Sequence, residues 1–245
     1  MLARNIGIVG DGATDIAIFR KISECILSDG EQNNVTLNYI ELRRQTIHDA
    51  VEKYCREANK ITDGCYLTGK QALDFKNSVA NTLYGAFADF KSEVELICNR
   101  DIILLTADSE HTFSNPDDYF KDWRFSISKI LVGSIEEFYR AKAREGYTHE
   151  YLPVVIPVVV FPSTEIFIAA AKIDTKKLIK DAYGKKPREL KQLLYGTTEL
   201  QTISDEEFNQ KALDFINSES IGRIFQNVPE SRTFIQTLSL GKYII

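Results

Sequence analysis

The chain has 245 residues, 44% of them hydrophobic and 27% charged, which suits a globular protein with one well-buried core or two small ones. A formal net charge of −5 excludes a global basic field, so any binding of nucleic acid must use a local patch. No run of about 18 apolar residues predicts a membrane span, and Ile6-Gly7-Ile8-Val9 is too short an apolar run for a signal peptide, so a cytoplasmic protein with no membrane partner is expected. Cys25, Cys55, Cys65 and Cys98 form no C-x-x-C pair and have no histidine at zinc spacing, so reduced, mostly buried thiols are expected.

Residues 4–9 read as a short buried strand. Ile16, Ile18, Phe19, Ile22, Ile26 and Leu27 then recur at helical spacing across 13–28. Val35, Leu37 and Tyr39 alternate, predicting a strand over 35–41, and 46–58 fits a helix. Residues 71–98 carry Leu73, Phe75, Val79, Leu83, Phe87, Phe90, Val94 and Leu96, which predicts one long helix or two broken at Gly85. Residues 101–107 are a near-continuous apolar run, the pattern of a central parallel strand covered on both faces. A polar loop with Asn115-Pro116 follows, then a helix over 125–144 ending near Gly146. Residues 152–161 form the next buried strand, with Pro157 placed where no ladder donor is needed or at a bulge. Beyond Pro162 the chain reads as helical, with helices near 204–218 and 229–240. This alternation of strand and helix argues for an α/β fold with a mostly parallel central sheet. The predicted core is 1–170, with a helical insert at about 71–98. Residues 171–245 read as a helical C-terminal extension, not an independent domain.

Open parallel sheets place their sites at the carboxyl ends of strands. Gly10-Asp11-Gly12-Ala13-Thr14-Asp15 follows the first strand. Gly10 and Gly12 allow a sharp turn and the close approach of a ligand. Asp11 is then a carboxylate aimed at the crevice, while Thr14 and Asp15 fall in the first helical turn, where they cap orphan N–H groups or support the site. Asp108-Ser109-Glu110-His111 follows the strand 101–107. If the extended backbone continues, Asp108 and Glu110 face the same way, and their mutual repulsion is relieved by a cation. An all-oxygen donor set suits Mg²⁺ or Mn²⁺. His111 is a supporting candidate for a phosphate contact or proton transfer. Pro162-Ser163-Thr164-Glu165 follows the third buried run, with Ser163 or Thr164 as a helix cap and Glu165 divided between capping and site membership. Lys172, Lys176, Lys177, Lys180, Lys185, Lys186, Arg188 and Lys191 make a local positive stretch, a solvated helix face or a track for a phosphate backbone.

These residues resemble a known family. Ile6 to Asp15 looks like the first Toprim motif, and Leu104 to Glu110 resembles the second, a strand ending in an acid-x-acid pair. Ile156 to Phe167 is similar to the strand and trailing Glu of small stand-alone Toprim-like proteins, relatives of the OLD-family nucleases that often belong to bacterial anti-phage systems. The resemblance implies Rossmann-type layering and a metal-dependent nuclease of nucleic-acid phosphodiesters, with DNA ahead of RNA as substrate and an ATPase or other defence protein as partner. It implies catalytic roles for Asp11, Asp108 and Glu110, with Glu165 completing a second metal position and Lys176, Lys177, Lys180, Lys185 and Lys186 contacting nucleic acid. Two departures stand out: Asp11 occupies the position of the family's usual Glu, and the usual Asp-x-Asp is Asp108-Ser109-Glu110. Two other readings compete. One is a catalytically weak or inactive Toprim-like subunit that binds another protein. The other is a phosphatase of haloacid-dehalogenase type, whose Gly-Asp-Gly-x-x-Asp motif matches Gly10 to Asp15 but whose motif order is reversed here.

Overall fold

Four apolar runs pair into a single all-parallel sheet: β1 (Leu2–Gly10), β2 (Val35–Arg43), β3 (Ile102–Asp108) and β4 (Val154–Val160). The computed structural model describes residues 2–10, 12–28, 35–43, 47, 49–50, 53, 69–108, 123–160, 163–172, 187–195, 207, 210, 213–228 and 231–240. The strand order is β2-β1-β3-β4. β1 pairs with β2 from Leu2↔Val35 to Gly10↔Arg43, and with β3 from Ile6↔Ile102 to Val9↔Leu105. Ile102, Ile103, Leu104 and Leu105 are all buried, so β3 is covered on both faces as its sequence predicts. Pro157 lies in β4, at the edge of the sheet, where a missing ladder donor is tolerated.

Contacts divide the chain into two compact units, Met1–Asp11 with Asn34–Ala107 and Tyr119–Val159, and Gly12–Asn33 with Asp108–Asp118 and Val160–Ile245. In the first unit, α2 (Gly69–Glu93) packs on α3 (Trp123–Arg144) and on β2. α2 runs unbroken through Gly85 and ends before Val94, so the apolar pattern of Val94 and Leu96 continues outside the helix. Phe87 meets Phe138 edge-on at 5.5 Å between ring centroids. Gly7 lets α2 come this close: a Cβ there would lie 2.7 Å from Leu42 Cδ1 and 2.8 Å from Phe90 Cδ2. α3 stops at Gly146, whose φ of +92° is the left-handed conformation that favours glycine. The Gly146 N–H donates to the Ala143 carbonyl and the Tyr147 N–H to the Lys142 carbonyl, closing a Schellman motif. The Tyr139 hydroxyl accepts from the Val155 N–H and donates to the Pro153 carbonyl, both at 2.9 Å, tying α3 to the start of β4.

At the amino end of the sheet Asp101 is fully buried. Its Oδ1 accepts from the Asn5 backbone N–H at 2.9 Å and from Asn5 Nδ2 at 3.0 Å, and its Oδ2 accepts from the Cys98 N–H at 2.8 Å. Asn38 Nδ2 donates to Asn5 Oδ1, extending the network to β2. Arg4 Nε donates to the Arg100 carbonyl; burial lowers its pKa, against the opposing pull of Asp101.

The second unit is helical: α1 (Ala13–Ser28), α4 (Glu165–Lys172), α5 (Pro187–Tyr195), α6 (Ser218–Asn227) and α7 (Ser231–Leu240). α4 packs on α5 and α6, while α1 packs on α6 and α7. Every residue from Glu165 to Ala171 is buried, so α4 is the centre of this unit. Phe19 contacts the rings of Phe167 and Phe234 edge-on at 5.5 and 5.7 Å. α6 starts at a capping box: the Asn217 side chain accepts from the Ser220 N–H, and Ser220 Oγ accepts from the Asn217 N–H. The helix predicted at 204–218 therefore stops short of a separate helix at Ser218–Asn227, whose Asn-x-x-Ser start is visible in the sequence. Of the helix predicted at 46–58, only Ile47, Asp49, Ala50 and Lys53 lie among the described residues, each helical. Cys25 and Cys98 are of intermediate burial and joined in no disulfide; Cys55 and Cys65 lie outside the described residues.

Candidate functional site

A strand order of 2-1-3-4 has a topological switch point between β1 and β3, because the chain leaves these neighbouring strands toward opposite sides. β1 ends at Gly10 and β3 at Asp108. Just before these ends, buried Thr106 donates its hydroxyl to the Val9 carbonyl at 2.6 Å. Asp108 is the last residue of β3; its side chain lies outside the described part, as do Asp11, Glu110, His111, Lys176, Lys177, Lys180, Lys185 and Lys186.

The described candidates gather in the second unit. Gly12 precedes α1, and its N–H donates to Asp15 Oδ2 at 3.2 Å, so Asp15 acts as the N3 carboxylate of a half capping box. The Thr164 hydroxyl donates to Asp15 Oδ1, joining the start of α1 to the start of α4. A Cβ on Gly12 would sit 3.1 Å from Asp15 Oδ2, so a side chain there would crowd the capping carboxylate.

Glu165 opens α4 with its side chain only 4% exposed. Ser163 donates its hydroxyl to Glu165 Oε2, and Lys191 Nζ stands 3.0 Å from Oε1. Lys191 sits in α5 and is 39% exposed. Sequence reasoning placed Lys191 in the basic stretch and did not pair it with Glu165, because only the packing of α4 on α5 brings them together.

Among the described residues no three His, Cys, Asp or Glu side chains gather as a metal-holding group. Asp11, Asp108 and Glu110 offer only carboxylate oxygens, the ligands that Mg²⁺ and Mn²⁺ prefer. Glu165 is held by two side-chain groups, a rotatable hydroxyl and a half-exposed ammonium, both of which can withdraw in favour of a metal. Asp15 is committed to a backbone N–H and to Thr164, which suits a supporting role.

No helix among the described residues is long and apolar enough to cross a membrane. The chain matches no protein-family model, no curated protein and no solved structure.

Proposed function

We propose that the chain is a divalent-metal-dependent nuclease of Toprim-like type, acting on nucleic-acid phosphodiesters, with Mg²⁺ or Mn²⁺ held by Asp11, Asp108 and Glu110. The observation that carries this reading is the switch point between β1 and β3: in sequence, Asp11 follows the last residue of β1, and Asp108 is the last residue of β3. A carboxylate between two glycines does little for stability, and Asp108 and Glu110, if the extended backbone continues, face the same way and repel when both are ionised unless a cation lies between them. Both features make sense at a metal site.

A bound divalent ion supplies polarisation of the phosphate, activation of water and stabilisation of the leaving oxygen. The chain's own contribution is position and charge. Asp11, flanked by Gly10 and Gly12 in sequence, would hold the ion or take a proton from the attacking water. Asp108, the last residue of β3, and Glu110, two residues further on, would hold the ion with Asp11. Glu165 would complete a second metal position, with Ser163 and Lys191 giving up its oxygens. Lys176, Lys177, Lys180, Lys185 and Lys186 track the phosphate backbone. A role in anti-phage defence alongside an ATPase rests on the family resemblance.

The deciding experiment is calorimetric titration of Mn²⁺ into the wild type and into Asp108→Ala, followed by a Mn²⁺-dependent cleavage assay on DNA and RNA. Saturable binding in the wild type, lost in the variant without loss of fold, is the expected result. Normal cleavage by Asp108→Ala overturns the assignment. Absence of Mn²⁺ binding in the wild type turns attention to a partner-binding role.

A further inference from the structure

Lys142 lies in the last turn of α3, where a lysine ordinarily keeps its head in water. Here the side chain is only 12% exposed. Its Nζ stands 5.3 Å from the ring centroid of Tyr84, 5.0 Å from that of Phe87 and 5.6 Å from that of Tyr147. The rings of Phe87 and Tyr147 meet at 83°, as two walls of a corner. Glu145 Oε2, 2.7 Å from Nζ on a half-exposed side chain, supplies the counter-charge. A leucine would fill such a corner without desolvating a charge, so three ring faces and a carboxylate around one ammonium suit a cation better than they suit packing. The corner also has supports other than Lys142. Phe138 backs Tyr84 and Phe87 at 5.7 and 5.5 Å between centroids, and Lys91 Nζ donates to the Tyr147 hydroxyl at 2.7 Å. The walls are therefore held in place when the Lys142 side chain rotates out to solvent.

We propose that this corner is a binding site for a trimethylammonium group, with Lys142 as its resident occupant and competitor. A trimethylammonium is weakly hydrated and has no N–H to satisfy, so it loses less on leaving water than Lys142 does, and Lys142 regains its hydration on leaving the corner. Tyr84, Phe87 and Tyr147 would face the methyl groups, and Glu145 would face the charge. All four residues belong to the first unit, and the site does not depend on the nuclease reading.

The test is titration of choline, followed by the proton resonance of its methyl groups, with the wild type, Lys142→Ala, Tyr84→Leu and Tyr147→Leu, each checked by circular dichroism and thermal melting. Methyl groups above ring faces are shielded, so caging reads as a saturable upfield shift. The expected pattern is saturable binding by the wild type, about tenfold tighter in Lys142→Ala because the competitor is gone, and about tenfold weaker in each leucine variant because a ring face is lost. The uncharged analogue of choline, with carbon in place of nitrogen, should give no saturable shift. Acetylated trimethyllysine is titrated alongside: the tighter of the two ligands tells a methylated side chain from a free small molecule as the source of the group. No saturable shift with the wild type overturns the site, even where Lys142→Ala binds, because the corner then serves Lys142 alone. Equal binding of the carbon analogue overturns it as well, since an apolar hollow would explain both. Wild-type affinity in both leucine variants places choline elsewhere and overturns it too.

Discussion

Asp101 and Glu165 are both buried carboxylates, one in each unit, and they are held in different ways. Asp101 accepts from two backbone N–H groups and an asparagine amide, with the Arg4 guanidinium near enough to feel its charge, and the backbone donors are fixed by the sheet and its entering turn. Glu165 accepts from a serine hydroxyl and pairs with a lysine that reaches it from another helix and is 39% exposed. Burial is the same, but the partners are not. Backbone donors have no alternative, since withdrawing them breaks the fold. A hydroxyl rotates, and a half-exposed ammonium can return to water at small cost. Donor type therefore separates a framework carboxylate from one that can exchange its partners for a ligand.

The comparison can be broken most directly at Asp101. Asp101→Ala leaves two buried backbone N–H groups without acceptors, and a loss of about 4 kcal/mol is expected by urea denaturation, with Mn²⁺ affinity unchanged. A weakened Mn²⁺ affinity in a folded Asp101→Ala would show that the framework carboxylate is not separate from the site. Lys191→Met comes next. It leaves Glu165 buried without its counter-charge, at about 2 kcal/mol, less than the roughly 3–5 kcal/mol of a fully buried pair because Lys191 is half in water. Added Mn²⁺ should raise the melting temperature of Lys191→Met more than that of the wild type, because the ion replaces the missing charge. An equal shift in both would class Glu165 with Asp101.

The smallest effect is expected at Tyr139, a half-buried phenol held, like Asp101, by backbone groups. Burial raises its pKa, with the Val155 N–H pulling the other way. The folded chain thus holds the phenol proton more tightly than the unfolded chain. The stability this contributes is present below the ordinary tyrosine value of about 10 and is lost as pH rises through the raised folded value. Tyr139→Phe should cost about 1 kcal/mol at neutral pH and lose part of the alkaline fall in stability. An unchanged alkaline limb in the variant would mean that other groups set it.

Much of the fold is legible in the sequence because its signals are local. The apolar runs 4–9, 101–107 and 152–161 became the strands Leu2–Gly10, Ile102–Asp108 and Val154–Val160, and the helical spacing of Ile16 to Leu27 became α1. The left-handed residue that stops α3 is the glycine predicted to do so. Gly85 was a weaker guide, since packing of α2 against α3 outweighs the intrinsic cost of one glycine in a helix, about 1 kcal/mol. The pattern over 71–98 overran the helix because Val94 and Ile97 are buried outside it, where periodicity carries no helical meaning.

Of the candidate site, the sequence by itself determined which residue types follow which strands: Asp11 after β1, Asp108 at the end of β3, Glu165 after β4. These facts depend only on chain order and on the period of apolar residues. The tertiary structure alone decided that β1 lies beside β3, that Thr106 ties to Val9, and that Glu165 meets Lys191. Each of these joins groups far apart in the chain. Such pairings are chosen by the burial of whole strand and helix faces, a quantity no short stretch of sequence contains.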